Sequence, residues 1–280
     1  MVALVDTVDI CYFEVYLRKI KQVIGERPIN YLIINHMEPD HSGSIRLIKQ
    51  HYPGIIIVGN KQTFGMIEGF YGVTGEQYLV KEGDFLALGH HKLRFYMTPM
   101  VHWPETMMTF DETDGVLFSG DGFGCFGTVD GGFLDTRINV DKYWGEMVRY
   151  YSNIVGKYGS PVQKALQKLG GLPISAICST HGPVWTENIA KVIGIYDRLS
   201  RYDADEGVVI AYGSMYGNTE QMAEAIAEEL SAQGVKNIVM HNVTKSHPSY
   251  IIADIFRYKG LIIGSPTYSN QIFPEVEALL

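Results

Sequence analysis

Apolar and polar positions along the first two hundred residues change over in short runs. "YLIIN" from Tyr31, "GIIIVGN" from Gly54, "KLRFYMTP" from Lys92, "GVLFSGD" from Gly115 and "ISAICSTHG" from Ile174 are nearly continuous apolar stretches. β-Branched and aromatic residues fill them, and Gly, Asn or Pro ends them, so the pattern predicts buried strands. Longer amphipathic stretches predict helices over about 12–24, 42–52, 61–71, 141–157 and 161–169. Ser42 or Ser44 is suited to cap the second of these, and Pro161 stands where a first-turn proline belongs.

From Arg198 to Gly207, "RLSRYDADEG", the apolar periodicity gives way to charge, which predicts a junction between a unit at 1–200 and a unit at 205–280. Beyond it the order is strand "VVIAYGS", helix "TEQMAEAIAEELSAQG", strand "NIVMHNV", helix "SYIIADIFRY", strand "GLIIGSPTY" and the start of a further helix. Strands alternating with helices, and apolar along their whole length, predict a parallel sheet covered on both faces. At the ends, "VALVDTV" follows Met1 directly and reads as a strand inside a sheet rather than at its edge. "FPEVEALL" reads as an amphipathic helix with no terminator, so the sequence is expected to be a piece of a longer chain.

Composition narrows the function classes. A net charge of -8 and the absence of a basic stripe argue against nucleic acid. No apolar run approaches the roughly 18 residues of a membrane span, and the first residues lack a signal-peptide pattern, so a cytoplasmic protein is expected. Cys11, Cys125 and Cys178 lie far apart, form no CxxC pair and are expected to be buried, reduced thiols.

The chemistry gathers at predicted strand ends, where rigid scaffolds present reactive side chains. "YLIINHMEPDHSGS" delivers His36, Glu38, Asp40 and His41 in six residues. "MTPMVHWPET" delivers His102, "GVLFSGDGFG" Asp121 and "AICSTHGPVW" His181. Singly, each has a plain explanation, such as a satisfied histidine or a turn aspartate. Together they form a metal-ligand set. It is similar to the His-x-His-x-Asp-His pattern of the metallo-β-lactamase superfamily, with Glu38 where that pattern has its second histidine. Two imidazoles there suit zinc. A hard carboxylate instead, in a mixed N/O set, favours iron or manganese. The expected division is His36, Glu38, His102 and shared Asp121 around one metal, and Asp40, His181 and Asp121 around the other, with His41 in reserve. His51, His90, His91, His241 and His247 have no comparable context.

The second constellation is "GSMYGNTEQMAEAI", which follows a predicted strand and opens a helix. Ser214, Met215, Tyr216, Gly217, Asn218 and Thr219 would cradle a phosphate dianion at the positive end of that helix. The loop resembles the phosphate loop of flavodoxins and lacks the Lys of a Walker A motif. "GSPTYSNQIFP" resembles the flavodoxin loop along the isoalloxazine ring, which would set Pro266, Thr267, Tyr268 and Asn270 against FMN. Both loops lie at the switch point of one sheet, where such folds bind ligands.

With both constellations, the chain resembles the flavodiiron proteins, or A-type flavoproteins, over essentially its whole length. The resemblance implies an α/β chain: an αββα metallo-β-lactamase-like sandwich, then a flavodoxin-like doubly wound sheet with three of the usual five strands. It implies two non-haem irons and FMN, and an oxidoreductase that reduces O2 to water or NO to N2O. It also implies rubredoxin or a reduced deazaflavin as electron donor, and a head-to-tail homodimer or dimer of dimers that sets the flavin of one subunit against the irons of the other. Tyr150 or Tyr151 would line the substrate pocket. Two other readings fit the same residues. One is a zinc metallohydrolase with a flavodoxin-like domain; the other is a flavodoxin-type electron carrier whose lactamase-like part only docks.

Overall fold

The computed structural model describes residues 1–280. The chain begins with β1 (Ala3–Val5), α1 (Phe13–Ile24), β2 (Tyr31–Ile33), the short α2 (Pro39–Ser42), α3 (Ile45–His51), β3 (Ile56–Gly59), α4 (Lys61–Tyr71) and β4 (Gln77–Leu79). Its four strands pair in parallel in the order β1-β2-β3-β4. An antiparallel run follows, β5 (Phe85–Leu88), β6 (His91–Met97), β7 (Met107–Asp111) and β8 (Val116–Gly120). Then come α5 (Asp141–Tyr150), α6 (Gly159–Leu169), β9 (Ala176–Ser179), β10 (Val184–Trp185) and α7 (Ile189–Ser200). The second sheet has the order β10-β9-β8-β7-β6-β5, with β9 parallel to β8.

The period-two alternation of a strand explains the layering. Leu32 and Ile34 pack outward with Phe13, Leu17, Ile45 and Phe64 of α1, α3 and α4. Ile33, between them, packs inward with Val58, Leu93, Phe95 and Met107 in the seam between the sheets. On the far side, Phe110, Leu117 and Ile177 meet Met147, Val162, Val192 and Tyr196 of α5, α6 and α7. The result is a helix–sheet–sheet–helix sandwich with three apolar seams.

The rest of the chain contains β11 (Asp205–Tyr212), α8 (Asn218–Ala232), β12 (Ile238–Asn242), α9 (Pro248–Arg257), β13 (Tyr258–Gly264), the hairpin β14 (Thr267–Tyr268) and β15 (Gln271–Ile272), and α10 (Pro274–Leu279). Its sheet is parallel in the order β12-β11-β13, as the alternation predicted. Ala223, Ala227 and Leu230 of α8 cover one face at Ile210 and Tyr212. On its other side α9 packs against α5. There Arg149 lies between the rings of Phe126 and Tyr250, at 4.4 and 4.5 Å, and donates to Ser249 Oγ at 3.0 Å.

Several expectations are corrected. The helix expected over 42–52 is two short helices. Ser42 caps neither, since its hydroxyl donates to Met37 O at 2.7 Å, and Ser44 precedes α3 without a side-chain cap bond. The helix expected to run to 157 ends at Tyr150, widens into a π-turn over Tyr151–Val155 and tightens into a 3-10 turn over Gly156–Tyr158. Helix α7 and strands β4, β5, β7 and β10 were not predicted. Cys11 is exposed and Cys178 half-buried, so Cys125 alone is buried as expected, and all three thiols are free.

Candidate metal centre

One buried residue registers the two sheets against each other at the site. Asn35 follows β2; its Oδ1 accepts from Thr109 Oγ1 at 2.7 Å and its Nδ2 donates to Phe118 O at 3.2 Å. Its own amide donates to Asp6 Oδ1 at 2.7 Å. The end of β2 is thereby tied to β7 and β8 of the facing sheet. His36, next in sequence, faces Asp121, which follows β8 directly. The short α2 turns Asp40 and His41 toward the same point. His102 enters from the loop between β6 and β7, and His181 from the end of β9, the neighbour of β8.

All seven residues expected to ligate metal converge, and they do so as two adjoining sets. In the first, His102 Nε2 lies 3.0 Å from Asp121 Oδ2 and 3.1 Å from Glu38 Oε2. His36 Nε2 lies 3.4 Å from the same Glu38 oxygen and 3.5 Å from the same Asp121 oxygen. In the second, His41 Nε2 is 2.8 Å and His181 Nε2 3.4 Å from Asp121 Oδ1. Both also reach Asp40 Oδ2, at 3.3 and 3.2 Å. The two oxygens of Asp121 thus face opposite sets, the disposition of a bridging carboxylate. His41, held in reserve on sequence, stands with the second set.

These separations fit metal ions better than a hydrogen-bond network. Donor atoms about 2.1 Å from a common ion lie about 3.0 Å apart at right angles and about 3.4 Å apart at the tetrahedral angle. Each oxygen instead faces two imidazole nitrogens, and His41 Nε2 and His181 Nε2 point at each other across 3.3 Å. Asp40 Oδ1, buried, has no partner at all. The donors are three carboxylates and four imidazoles, a hard, anionic set with room for two cations.

The titration behaviour follows from that excess of negative charge. Burial alone would lower His36, but hydrogen bonds to Glu105 and Glu38 and the charge of Asp121 raise it to about 10. Burial likewise opposes His181, which Asp121 and Asp40 raise to about 9. Hydrogen bonds from His102 and His36 hold Glu38 at about 2. Asp121, although burial works against its ionisation, is held well below the usual carboxylate range by His102, His181 and His41. Protons on His36 and His181 stand in for cations, and metal ions would displace them.

Besides Asn35, three supporting residues were not legible in the sequence as functional. Glu105, inside the quoted "HWPET", is fully buried, and its Oε1 lies 2.8 Å from His36 Nδ1. Asp6 Oδ1 accepts from the backbone amides of Asn35 and His36. Thr180 Oγ1 donates to Asp121 Oδ1 at 2.9 Å. Of the two tyrosines expected near the pocket, Tyr150 packs its ring 5.6 Å from that of His181. Tyr151 turns into the core against Tyr196 and Phe256. Among the other histidines, His91 pairs with Asp111 at a surface turn and His241 with Asp254.

The loops of the second constellation also meet. They leave the ends of neighbouring strands β11 and β13 and are joined by Gly213 N donating to Gly264 O at 3.0 Å. Gly217 takes the left-handed conformation, φ 87°, that lets Ser214 to Gly217 wrap the start of α8, and its amide donates to Ser214 Oγ at 3.1 Å. The first-turn amides of α8 lack carbonyl partners within the helix, which is the basis of anion binding at such termini. Pro266, Thr267, Tyr268 and Asn270 sit on and before the β14–β15 hairpin, whose turn at Ser269 and Asn270 is left-handed. Tyr216 is 87% exposed, so its ring is free to meet a ligand or partner.

Residues 1–182 match the model of the ODP family of β-lactamases. The chain belongs to that family. Residues 210–280 match the flavodoxin family. The anaerobic nitric oxide reductase flavorubredoxin of Vibrio vulnificus (strain YJ016) is 32% identical over 99% of this chain and 57% of its own length. The chain spans little more than half the length of the curated relatives it matches. Among solved structures, the rubredoxin oxygen:oxidoreductase of Desulfovibrio gigas superposes with a TM-score of 0.95 at 30% identity, over 99% of this chain and 70% of that one. The flavodiiron protein from Giardia intestinalis gives 0.94 at 27% identity, over 99% and 68%. The family member described here is thus a metallo-β-lactamase-like sandwich followed by a flavodoxin-like parallel sheet.

Proposed function

We propose that the chain is a flavodiiron oxidoreductase that reduces O2 to water or NO to N2O, with electrons delivered through FMN. The observation that carries the proposal is Glu38, a carboxylate where a zinc hydrolase has its second imidazole, in a set bridged by Asp121 and joined in one chain to two flavin-type loops. His36, Glu38, His102 and Asp121 would hold one iron; Asp40, His41, His181 and Asp121 would hold the other. The domains divide between Ser200, where α7 ends, and Asp205, where β11 begins.

When bound, the iron pair supplies Lewis acidity and electrons to a diatomic ligand, and FMN relays the electrons to it. The chain's own residues do the rest. Four imidazoles would hold the metals through Nε2, and three carboxylates would offset the metal charge and favour iron over zinc. Asp121 fixes the spacing of the two positions. Tyr150, with Phe126 at 5.0 Å between ring centres, closes the side of the site over His181. Ser214, Met215, Tyr216, Gly217, Asn218 and Thr219 would hold the FMN phosphate at the start of α8, and Pro266, Thr267, Tyr268 and Asn270 would contact its ring. A small redox protein such as rubredoxin, or a reduced deazaflavin, recharges the flavin. A head-to-tail homodimer or dimer of dimers sets the flavin loops of one copy against the metal set of the other.

Anaerobic purification with iron, zinc and FMN quantified, followed by rates of O2 and NO consumption from the reduced protein, tests the reading. Two irons per chain with turnover are expected. Zinc with negligible iron would overturn it. Asp121→Ala is expected to lose both metals and all turnover, whereas a flavodoxin-type carrier with a merely docking partner domain would be unaffected.

A further inference from the structure

The four imidazoles of the metal set differ in what stands behind them. Every side-chain polar contact of His41, His102 and His181 runs through Nε2. His36 alone also engages its outer nitrogen, Nδ1, with Glu105 Oε1 at 2.8 Å.

Glu105 is fixed at both its ends. Asn60 Nδ2 donates to its backbone oxygen at 2.6 Å, and Met37 N donates to Oε1 at 2.9 Å. Its other carboxylate oxygen, Oε2, is buried without a partner. A fully buried carboxyl group with one oxygen unsatisfied is costly, and a salt link kept for stability is better served by apolar packing. The charge makes sense where a cation lies beyond the imidazole. Asp6, the other buried acid behind this loop, binds backbone amides and no ligand ring.

We propose that Glu105 is a positioning residue that makes the two metal positions unequal. The position formed by His36, Glu38, His102 and Asp121 binds its metal more tightly, and is oxidised more readily, than the position formed by Asp40, His41, His181 and Asp121. The inference rests on the diiron reading for its redox part alone. Accepting the Nδ1 proton fixes the His36 tautomer with its Nε2 lone pair toward the metal and raises the basicity of that nitrogen. The added negative charge favours the higher oxidation state of the adjacent ion. Nothing equivalent backs the second position.

The test withdraws metal from the loaded full chain with graded chelator, and titrates the iron pair electrochemically. The unmodified chain is expected to release metal in two steps and to show two separated one-electron potentials. His181→Ala should abolish the looser step and His102→Ala the tighter. In Glu105→Gln, which keeps the shape and removes the charge, the tight step should weaken by about 10- to 100-fold while the loose step stays unchanged. The two potentials should also draw together. Release in one step from the unmodified chain would overturn the proposal, as would an equal effect of Glu105→Gln on both steps. The histidine variants keep the question answerable if Glu105→Gln does not fold. Withdrawal repeated on zinc-loaded chain separates this proposal from the diiron reading, which the iron content of the purified protein decides independently.

Discussion

On the proposed diiron reading, a single carboxylate at residue 38 sets the metal preference of the centre, and reversing it is the sharpest test. Glu38→His restores two imidazoles to the loop from His36 and removes one negative charge from a site whose oxygens already face two nitrogens each. Zinc should replace iron on metal analysis, and turnover of O2 or NO should fall by about 100-fold. Retention of two irons at full occupancy would show that the rest of the donor set decides the metal. The ligands were legible because each lies in a segment leaving a strand end and four fall within one short motif. Glu105, Asp6 and Asn35 were not. Each acts through a partner distant in sequence, such as Glu105 on His36 or Thr109 on Asn35, and no local pattern encodes such a pairing.

Elements show the same division. Most strands were visible because their apolar runs are nearly continuous and end at Gly, Asn or Pro, whereas β7, "MMTFD", mixes polar and apolar residues although it is wholly buried. Helix α7 was missed because its entry is fixed from far away. Asn188 precedes the helix without a side-chain cap bond, and the segment leading into it is held by the carboxylate of Asp135. Asp135 accepts from the amides of Thr186, Glu187 and Asn188 and from the side chains of Thr186 and Asn188, at 2.7–3.0 Å. Burial alone would raise its pKa, but these bonds hold it at about 2, against an ordinary 3.8. A group depressed on folding stabilises the native state above its unfolded pKa and loses that contribution as pH falls through the folded value. The contribution, about 2 kcal/mol, should be complete above pH 4 and fade toward pH 2. Asp135→Asn should cost about 1–3 kcal/mol at neutral pH by setting an amide NH2 against backbone donors. In urea unfolding, the gap between the two proteins should narrow on acidification. A gap independent of pH would remove Asp135 as the anchor of the segment that leads into α7.

At the scale of the whole molecule, the two folded units meet where the regular helix fails. The π-turn after Tyr150 changes the helical phase between neighbouring tyrosines. Tyr150 thus packs beside His181 while Tyr151 enters the core. Arg149, just before them, is the clamp between Phe126 and Tyr250. Arg149→Ala should release about 1–2 kcal/mol of contact between the units and speed amide exchange in α5 and α9, while iron content stays unchanged. Unchanged exchange would mean that the apolar contacts around Phe256 carry the junction alone.

Docking within one chain leaves open which flavin serves which metal pair, and the proposed head-to-tail dimer gives a definite answer. Asp121→Ala removes the bridging ligand and leaves the flavin loops intact. Thr219→Asp puts a negative charge in the first turn of α8, where it favours the helix but repels a phosphate, and leaves the metal set intact. Each variant alone should be inactive. Co-expressed and purified as a mixed dimer, they retain one intact pairing across the interface, the flavin of the first chain against the metals of the second. Activity should return in the mixed dimer and in neither parent variant. A mixed dimer as inactive as its parents, with FMN and iron each present in the expected chain, would place electron transfer within a single chain.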